Sequence, residues 1–257
     1  MRPKKKIVQR PLFWITLLII LLLGTGSYFI LFFPKFQVSN IKIAGYQKVS
    51  NQDIEDLVLD NVKKKFIGND FIGISSKSIF IASTAKIENS VYKSFPAIEE
   101  VAVQKELPNT LRLTIKERQP VAIFCQDDDH CFFIDKNGVI FERIQDISGE
   151  YMMLKLAANA IDIELGKEVV SPSTIDVVKK VEYNLESNFG IDIREILVSS
   201  SLIVRTAENW DIYFNPDSDI NLQIAKLNSL LESEITQGQR KSLQYIYLQY
   251  KDRAYYK

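Results

Sequence analysis

Few residues in this chain combine a reactive type with the spacing that catalysis or metal binding needs. The one histidine, His130, follows Asp127, Asp128 and Asp129. A Ser-His-Asp relay or a multi-histidine metal centre would have to use it or do without. The three carboxylates are hard ligands suited to a loosely held Ca²⁺. The spacing of a calcium-binding loop, with its glycine and distal glutamate, is absent. The cluster falls at the tip of an expected hairpin, which offers no desolvated pocket to tune a catalytic histidine. A solvated turn is therefore the expectation. The glycines never gather into a phosphate-cradling loop, and the remaining carboxylates are scattered. Glu117 beside Arg118 reads as a structural pair at a change of pattern. The expectation is no catalytic residue, no metal and no cofactor, and so not an enzyme.

Two other groups stand out. Cys125 and Cys131 flank QDDDH between the strand-like runs VAIF and FFID. Across a hairpin they come within bonding distance. In an oxidising compartment an even count favours a disulfide; two reduced, packed cysteines are the alternative. The second group is the C-terminal run LQYIYLQYKDRAYYK, with Tyr245, Tyr247, Tyr250, Tyr255 and Tyr256 within a dozen residues. Ile246, Leu248 and Tyr250 share one face, and Tyr245, Tyr247 and Gln249 the other. A strand apolar or aromatic on both faces, left as an edge, suits docking: backbone pairing gives affinity and alternate side chains give selectivity. Tyrosine is also a frequent interface anchor. Ordinary β-forming residues covering the outer face of a sheet give the same pattern.

The elements that place these residues begin with Leu12–Phe33, an uncharged apolar run long enough to span a bilayer as a helix. Arg2, Lys4, Lys5, Lys6 and Arg10 precede it without an acid, which orients residues 1–11 to the cytoplasm and exports the rest. The apolar core is too long for a cleaved signal peptide, and SYFILFFPKF has no small-x-small cleavage site. Trp14 and Tyr28–Phe33 suit the two membrane interfaces. The chain balances 32 basic against 32 acidic residues. Five of the basic ones precede the span, which leaves the exported part with 27 against 32, a net of −5. That argues against nucleic acid as a partner.

After the span, FQVSNIKI reads as a strand and residues 51–65 as a helix behind Ser50, with Lys63, Lys64 and Lys65 favouring its C-terminus. Residues 68–81 read as a loop. A second helix carries Ile87, Val91 and Phe95 and stops at Pro96. Two strands follow around a Pro108-Asn109 turn. Beyond Arg118 come a hairpin, a helix opened by Ser171 and Pro172 and closed by Gly190, further strands, a helix over 217–231 and a last strand. The fold class is α+β.

The stretch Val101-Ala-Val-Gln-Lys-Glu-Leu-Pro108-Asn109-Thr110-Leu-Arg-Leu-Thr-Ile-Lys-Glu117-Arg118-Gln-Pro120-Val121-Ala122 resembles the FtsQ/DivIB cell-division proteins. Ile134-Asp135-Lys136-Asn137-Gly138-Val139 resembles that family's next landmark, an Asp-x-x-Gly-Val hairpin turn. The resemblance implies a cytoplasmic tail (1–11), a transmembrane helix (12–33), a POTRA domain of β-α-α-β-β order (36–117) and a β-sheet domain with helices (118–257). It also implies a non-enzymatic scaffold of the divisome at the septum of the cytoplasmic (inner) membrane. Such a scaffold binds FtsB/FtsL-like single-pass partners through its last strands and regulates septal peptidoglycan synthesis. Carried to matching positions, the partner-binding residues are Tyr245, Tyr247, Leu248, Tyr250, Arg253 and Tyr255. Where the family often has Ile-Asp-Leu-Arg, this chain has Ile246-Tyr247-Leu248-Gln249, which implies a partner altered to match. A POTRA-type envelope chaperone or translocation component, or a membrane-anchored envelope enzyme, are the readings from other classes.

Overall fold

An uncharged apolar run in lipid must satisfy its amides internally, and the helix does so. In the computed structural model, which describes residues 11–46, 48–68, 73–127, 130–144, 151–156 and 163–257, this run is the helix α1 (Pro11–Phe32). Its 22 residues span about 33 Å, enough for a hydrocarbon core of roughly 30 Å. None of its side chains is buried. Among the described residues it is the one helix long and apolar enough to cross a membrane. The hydroxyls of Thr16 and Thr25 donate to carbonyls one turn back, at Leu12 (3.1 Å) and Leu21 (2.8 Å), so neither is left unpaired in the apolar run.

The chain divides into two compact units between Glu117 and Arg118. In the first, a 3₁₀ turn (Pro34–Phe36) follows α1. Next come β1 (Asn40–Ala44), α2 (Asn51–Val62), β2 (Lys64–Gly68) and β3 (Gly73–Ser76). Helix α3 (Thr84–Ser94), β4 (Ile98–Glu106) and β5 (Thr110–Glu117) complete the unit. The sheet order is β1-β5-β4, with β1 parallel to β5 and β4 antiparallel to it. Strand β5 alternates buried Leu111, Leu113 and Ile115 with exposed Arg112, Thr114 and Lys116. Its inner face shares a core with Ile54, Val58 and Val62 of α2 and Ile87 and Val91 of α3. Ser50 and Ser83 cap the two helices, accepting from the amides of Asp53 and Lys86.

The stretch 64–76 departs from the sequence reading. Helix α2 ends at Val62 with no basic residue in its last turn. Lys64 and Lys65 belong to β2, which pairs antiparallel with β3, Lys64 opposite Ser76. The expected loop is therefore a hairpin inserted between the two helices. Val62 is the last buried position of α2; the three lysines that follow have nothing to bury on a helix face, and the β2–β3 backbone ladder prevails over helix propensity there.

The second unit opens with β6 (Ala122–Cys125), β7 (Cys131–Ile134), β8 (Ile140–Ile144) and β9 (Met153–Leu156). Then come α4 (Pro172–Phe189), β10 (Ile193–Val198), β11 (Leu202–Thr206) and β12 (Asp211–Phe214). Helix α5 (Ile220–Ser229) runs into a π turn ending at Glu234, before α6 (Gln237–Arg240), β13 (Tyr245–Tyr247) and β14 (Tyr255–Tyr256). These strands form one nine-stranded sheet ordered β14-β13-β12-β11-β10-β9-β6-β7-β8. The inner face, with Phe124, Leu154, Ile196, Val204, Ile212 and Ile246, is buried in one core with α4 and α5. Helix α4 has Ser171 as N-cap, Pro172 at its first position and Gly190 in the left-handed region at its C-cap.

The turn between β7 and β8 depends on a buried ion pair. Arg118 Nη1 lies 2.6 Å from Asp135 Oδ2, and both side chains are almost fully buried. The other oxygen, Oδ1, accepts from the amides of Asn137 and Val139, each at 2.9 Å. Gly138 turns this corner at φ 72°, and a Cβ there would sit 1.6 Å from the Val170 carbonyl oxygen. Gly138→Ala is therefore expected to destabilise the unit by about 3 kcal/mol or more. A urea melt followed by fluorescence of Trp210, the only tryptophan outside α1, measures it.

Candidate functional site

The C-terminal tyrosines are organised by the last three strands of the sheet. Strand β13 pairs parallel with β12, Tyr247 opposite Tyr213, and antiparallel with β14, Tyr247 opposite Tyr255. Paired residues share a face, so Tyr213, Tyr245, Tyr247 and Tyr255 lie on the outer side of the sheet. The Tyr213 and Tyr247 rings stack at 4.2 Å, and Tyr245 meets Tyr247 edge-on at 4.9 Å. Burial, and then the neighbouring Tyr247, push the Tyr213 phenol above its ordinary pKa. Farther along this face Lys155, Glu195, Arg205 and Asp211 form a chain of ion pairs at 2.5–3.3 Å. The outer surface thus passes from charged to aromatic towards the β14 edge.

Two expectations about this run need correction. Strand β13 is not the edge, because β14 covers it. Leu248 is fully buried in the core, so it cannot present its side chain to a partner. The alternation holds, with Ile246 and Leu248 inward, but the pairing of residues 255–256 across the 248–254 turn carries no periodic signal. Tyr250, Arg253, Tyr255 and Tyr256 are exposed. Arg253 Nη1 donates to the Tyr255 hydroxyl at 3.2 Å, and Tyr250 packs edge-on against Tyr255 at 5.4 Å. Tyr256, opposite the buried Ile246, turns to the other side and donates its hydroxyl to Glu234 at 3.2 Å. That hydrogen bond raises its pKa.

The backbone decides what this edge offers. Tyr245 and Lys257 exchange both amide hydrogen bonds, at 3.2 and 3.3 Å. In an antiparallel ladder such pairs alternate with pairs whose N–H and C=O point away. Tyr256 occupies the second kind of position, so its amide and carbonyl face the open side. A cleft of about 210 Å³ at this edge is lined by Glu234, Ile235, Gln239, Leu243, Tyr256 and Lys257; another of about 250 Å³, beside the 248–254 turn, is lined by Leu222, Lys226, Tyr250 and Lys251, with Leu248 beneath. Lys226 Nζ donates to the Tyr250 carbonyl at 2.5 Å and holds the 248–254 turn. Sequence reasoning missed Tyr213, Lys226 and Glu234. Only Tyr213 had a signal, the alternation of DIYF; the other two reach the edge from the segment spanning α5 and the π turn.

The remaining candidates are placed apart from this edge. Cys125 and Cys131 stand opposite each other in the β6–β7 hairpin and are joined as a disulfide. With Ile123 they form a small cluster against Phe133, Ile144 and Met153. His130 Nδ1 lies 2.8 Å from Asp127 Oδ1, and both groups are about half exposed. Asp128 and Asp129 lie outside the described residues. Among the described residues no group of three potential metal ligands converges. Glu117 accepts from the amides of Lys48 (2.9 Å) and Val49 (3.0 Å), closing the loop before α2. Arg118 pairs with Asp135 in the second unit.

A profile of FtsQ-type POTRA domains matches residues 72–118. Cell division protein DivIB of Clostridium botulinum (strain Hall) is 33% identical over 215 residues, 82% of this chain and 72% of that protein. DivIB of Clostridium acetobutylicum is 23% identical over 206 residues, or 79% and 76% of the two chains. Cell division protein FtsQ of Rickettsia typhi is 27% identical over 172 residues, or 62% and 58%. At that identity and coverage, with an apolar N-terminal helix, a POTRA domain and a C-terminal sheet in the same order, the chain belongs to the FtsQ/DivIB family of cell-division proteins.

Proposed function

We propose that this protein is a non-enzymatic scaffold of the divisome. Anchored by α1 in the cytoplasmic membrane with its N-terminus inside, it presents residues 36–117 and 118–257 outside the cytoplasm at the septum. There it binds a small single-pass division protein of the FtsB/FtsL type and so regulates septal peptidoglycan synthesis. The single observation that carries this reading is the β14 edge. It has an outward-facing backbone at Tyr256, tyrosines on both sides and an open cleft lined by Tyr256, Lys257 and Glu234 beside it. Such an edge accepts a partner strand through backbone hydrogen bonds, while the tyrosines and the cleft select its side chains.

The test is capture of partners from solubilised host membranes by residues 35–257, identified by mass spectrometry. Tyr247→Lys, which changes the outer face without touching the core, runs in parallel. Recovery of small single-pass coiled-coil proteins, reduced about tenfold in the variant, is the expected result. Recovery that is unchanged by the variant would move the site off this face. No such protein recovered would contradict the scaffold reading.

A further inference from the structure

The end of α1 is tied to the folded unit that follows it. The last carbonyls of a helix lack intrahelical donors, and here side chains of the first unit supply them. The Ser78 hydroxyl donates to the Ile30 carbonyl at 2.8 Å, and the Gln37 amide to the Leu31 carbonyl at 2.8 Å. The Ser76 hydroxyl also donates to Leu31. Gln37 Oε1 accepts the Lys77 amide at 2.8 Å, and the Ile79 amide donates to the Phe36 carbonyl at 2.9 Å. Segment 76–80 is therefore fixed at the level of the last turn of the helix.

A row of rings continues along the same path. Phe29 meets Phe33 at 5.7 Å, Phe33 meets Phe36 at 5.9 Å, and Phe36 meets Phe80 at 5.2 Å. Phe80, on the folded unit, is 45% exposed. Exposed Lys35 and half-exposed Lys77 lie on these segments, and Lys105 Nζ donates to the Phe80 carbonyl at 3.3 Å. An apolar side chain held at the end of a span, with ammonium groups around it, has the composition of a membrane-interface contact.

We propose that this face is a lipid-docking surface. Phe33, Phe36 and Phe80 sit in the headgroup and upper acyl region of the leaflet that the folded unit faces, and Lys35, Lys77 and Lys105 meet lipid phosphates. The occupant is bilayer phospholipid, because the ring row is continuous with a helix that itself lies in lipid; the inference rests on α1 spanning the membrane. The first unit is thereby held in one pose against the membrane, with segment 76–80 and Lys105 at the bilayer surface.

The test uses the full chain in phospholipid nanodiscs that hold one copy each. Phe80→Cys carries an environment-sensitive fluorophore, and Tyr92→Cys on α3, of similar exposure (44%), is the control. The native cysteines are bonded to each other and do not react. Expected at position 80 are blue-shifted emission, quenching by lipid with a spin label high on its acyl chain that exceeds the control about twofold or more, and shielding from aqueous iodide. Iodide quenching equal to that at position 92, with no quenching by the lipid label, would overturn the proposal. Shielding from iodide without lipid quenching would overturn it too, since it would place protein rather than lipid over Phe80.

Discussion

Replacing Arg118 by Met is expected to lower the stability of the second unit by about 3–5 kcal/mol. The substitution fills similar volume, so little of the loss comes from a cavity. The loss comes from Asp135, whose carboxyl group would be left inside the fold without its guanidinium partner. Asp135 also accepts the amides of Asn137 and Val139, so the β7–β8 turn loosens with it. Arg118→Lys restores the charge without the planar fork and recovers only part of the loss. Arg118→Met with Asp135→Asn should cost less than the sum of the single changes, because the pair fails as a unit. Urea melts of residues 35–257 read through Trp210, buried in this unit, measure these three variants and Asp135→Asn alone. Equal stability of Arg118→Met and the parent would show that the pair does not hold the turn.

The second large effect is expected at the open edge. Tyr256→Pro removes one N–H, and by the alternation of the ladder that N–H faces away from β13. The β13–β14 pairing and the fold should survive, since proline is tolerated on the outer side of an edge strand. A partner strand added to β14 would lose one backbone hydrogen bond and bury an unsatisfied carbonyl, a cost of about 1–3 kcal/mol and so a weakening of roughly 5- to 150-fold. Titration of residues 35–257 with the soluble segment of a captured partner measures it. Leu248→Glu does not serve here: it places a charge in the core and destabilises the unit whatever the partner does.

The parts legible in the sequence were those with a strong local cause. The uncharged run before Pro34 suits a span because nothing charged interrupts it and its threonine hydroxyls bond back to the helix. Ser171-Pro172 and Gly190 bracket α4 through capping chemistry, and the alternation in β5 gave its buried face. The parts that were not legible depend on pairing at a distance. Lys64 and Lys65 suit a helix end by charge, yet they join a hairpin whose other strand, Gly73–Ser76, has no alternating pattern. Leu248 matched the resemblance by position, but parity places it inward, with Ile246. Tyr255 and Tyr256 read as part of the same C-terminal run as Tyr245 and Tyr247; only the fold sets them apart as a separate strand, pairs them with β13 and makes them the edge. The roles of Ser76, Ser78 and Gln37 at the end of α1 had no sequence signal, since a polar side chain gives no hint of which distant carbonyl it reaches.

The claim that a partner strand adds to β14 is tested most directly by amide hydrogen exchange of residues 253–257, with and without a captured partner's soluble segment. In the free protein the Tyr256 amide faces solvent and should exchange at close to the rate of an open edge. Strand addition predicts strong protection of Tyr256 in the complex, with the already paired Lys257 amide changing less. A complex that forms while Tyr256 exchanges at its free rate would contradict the account.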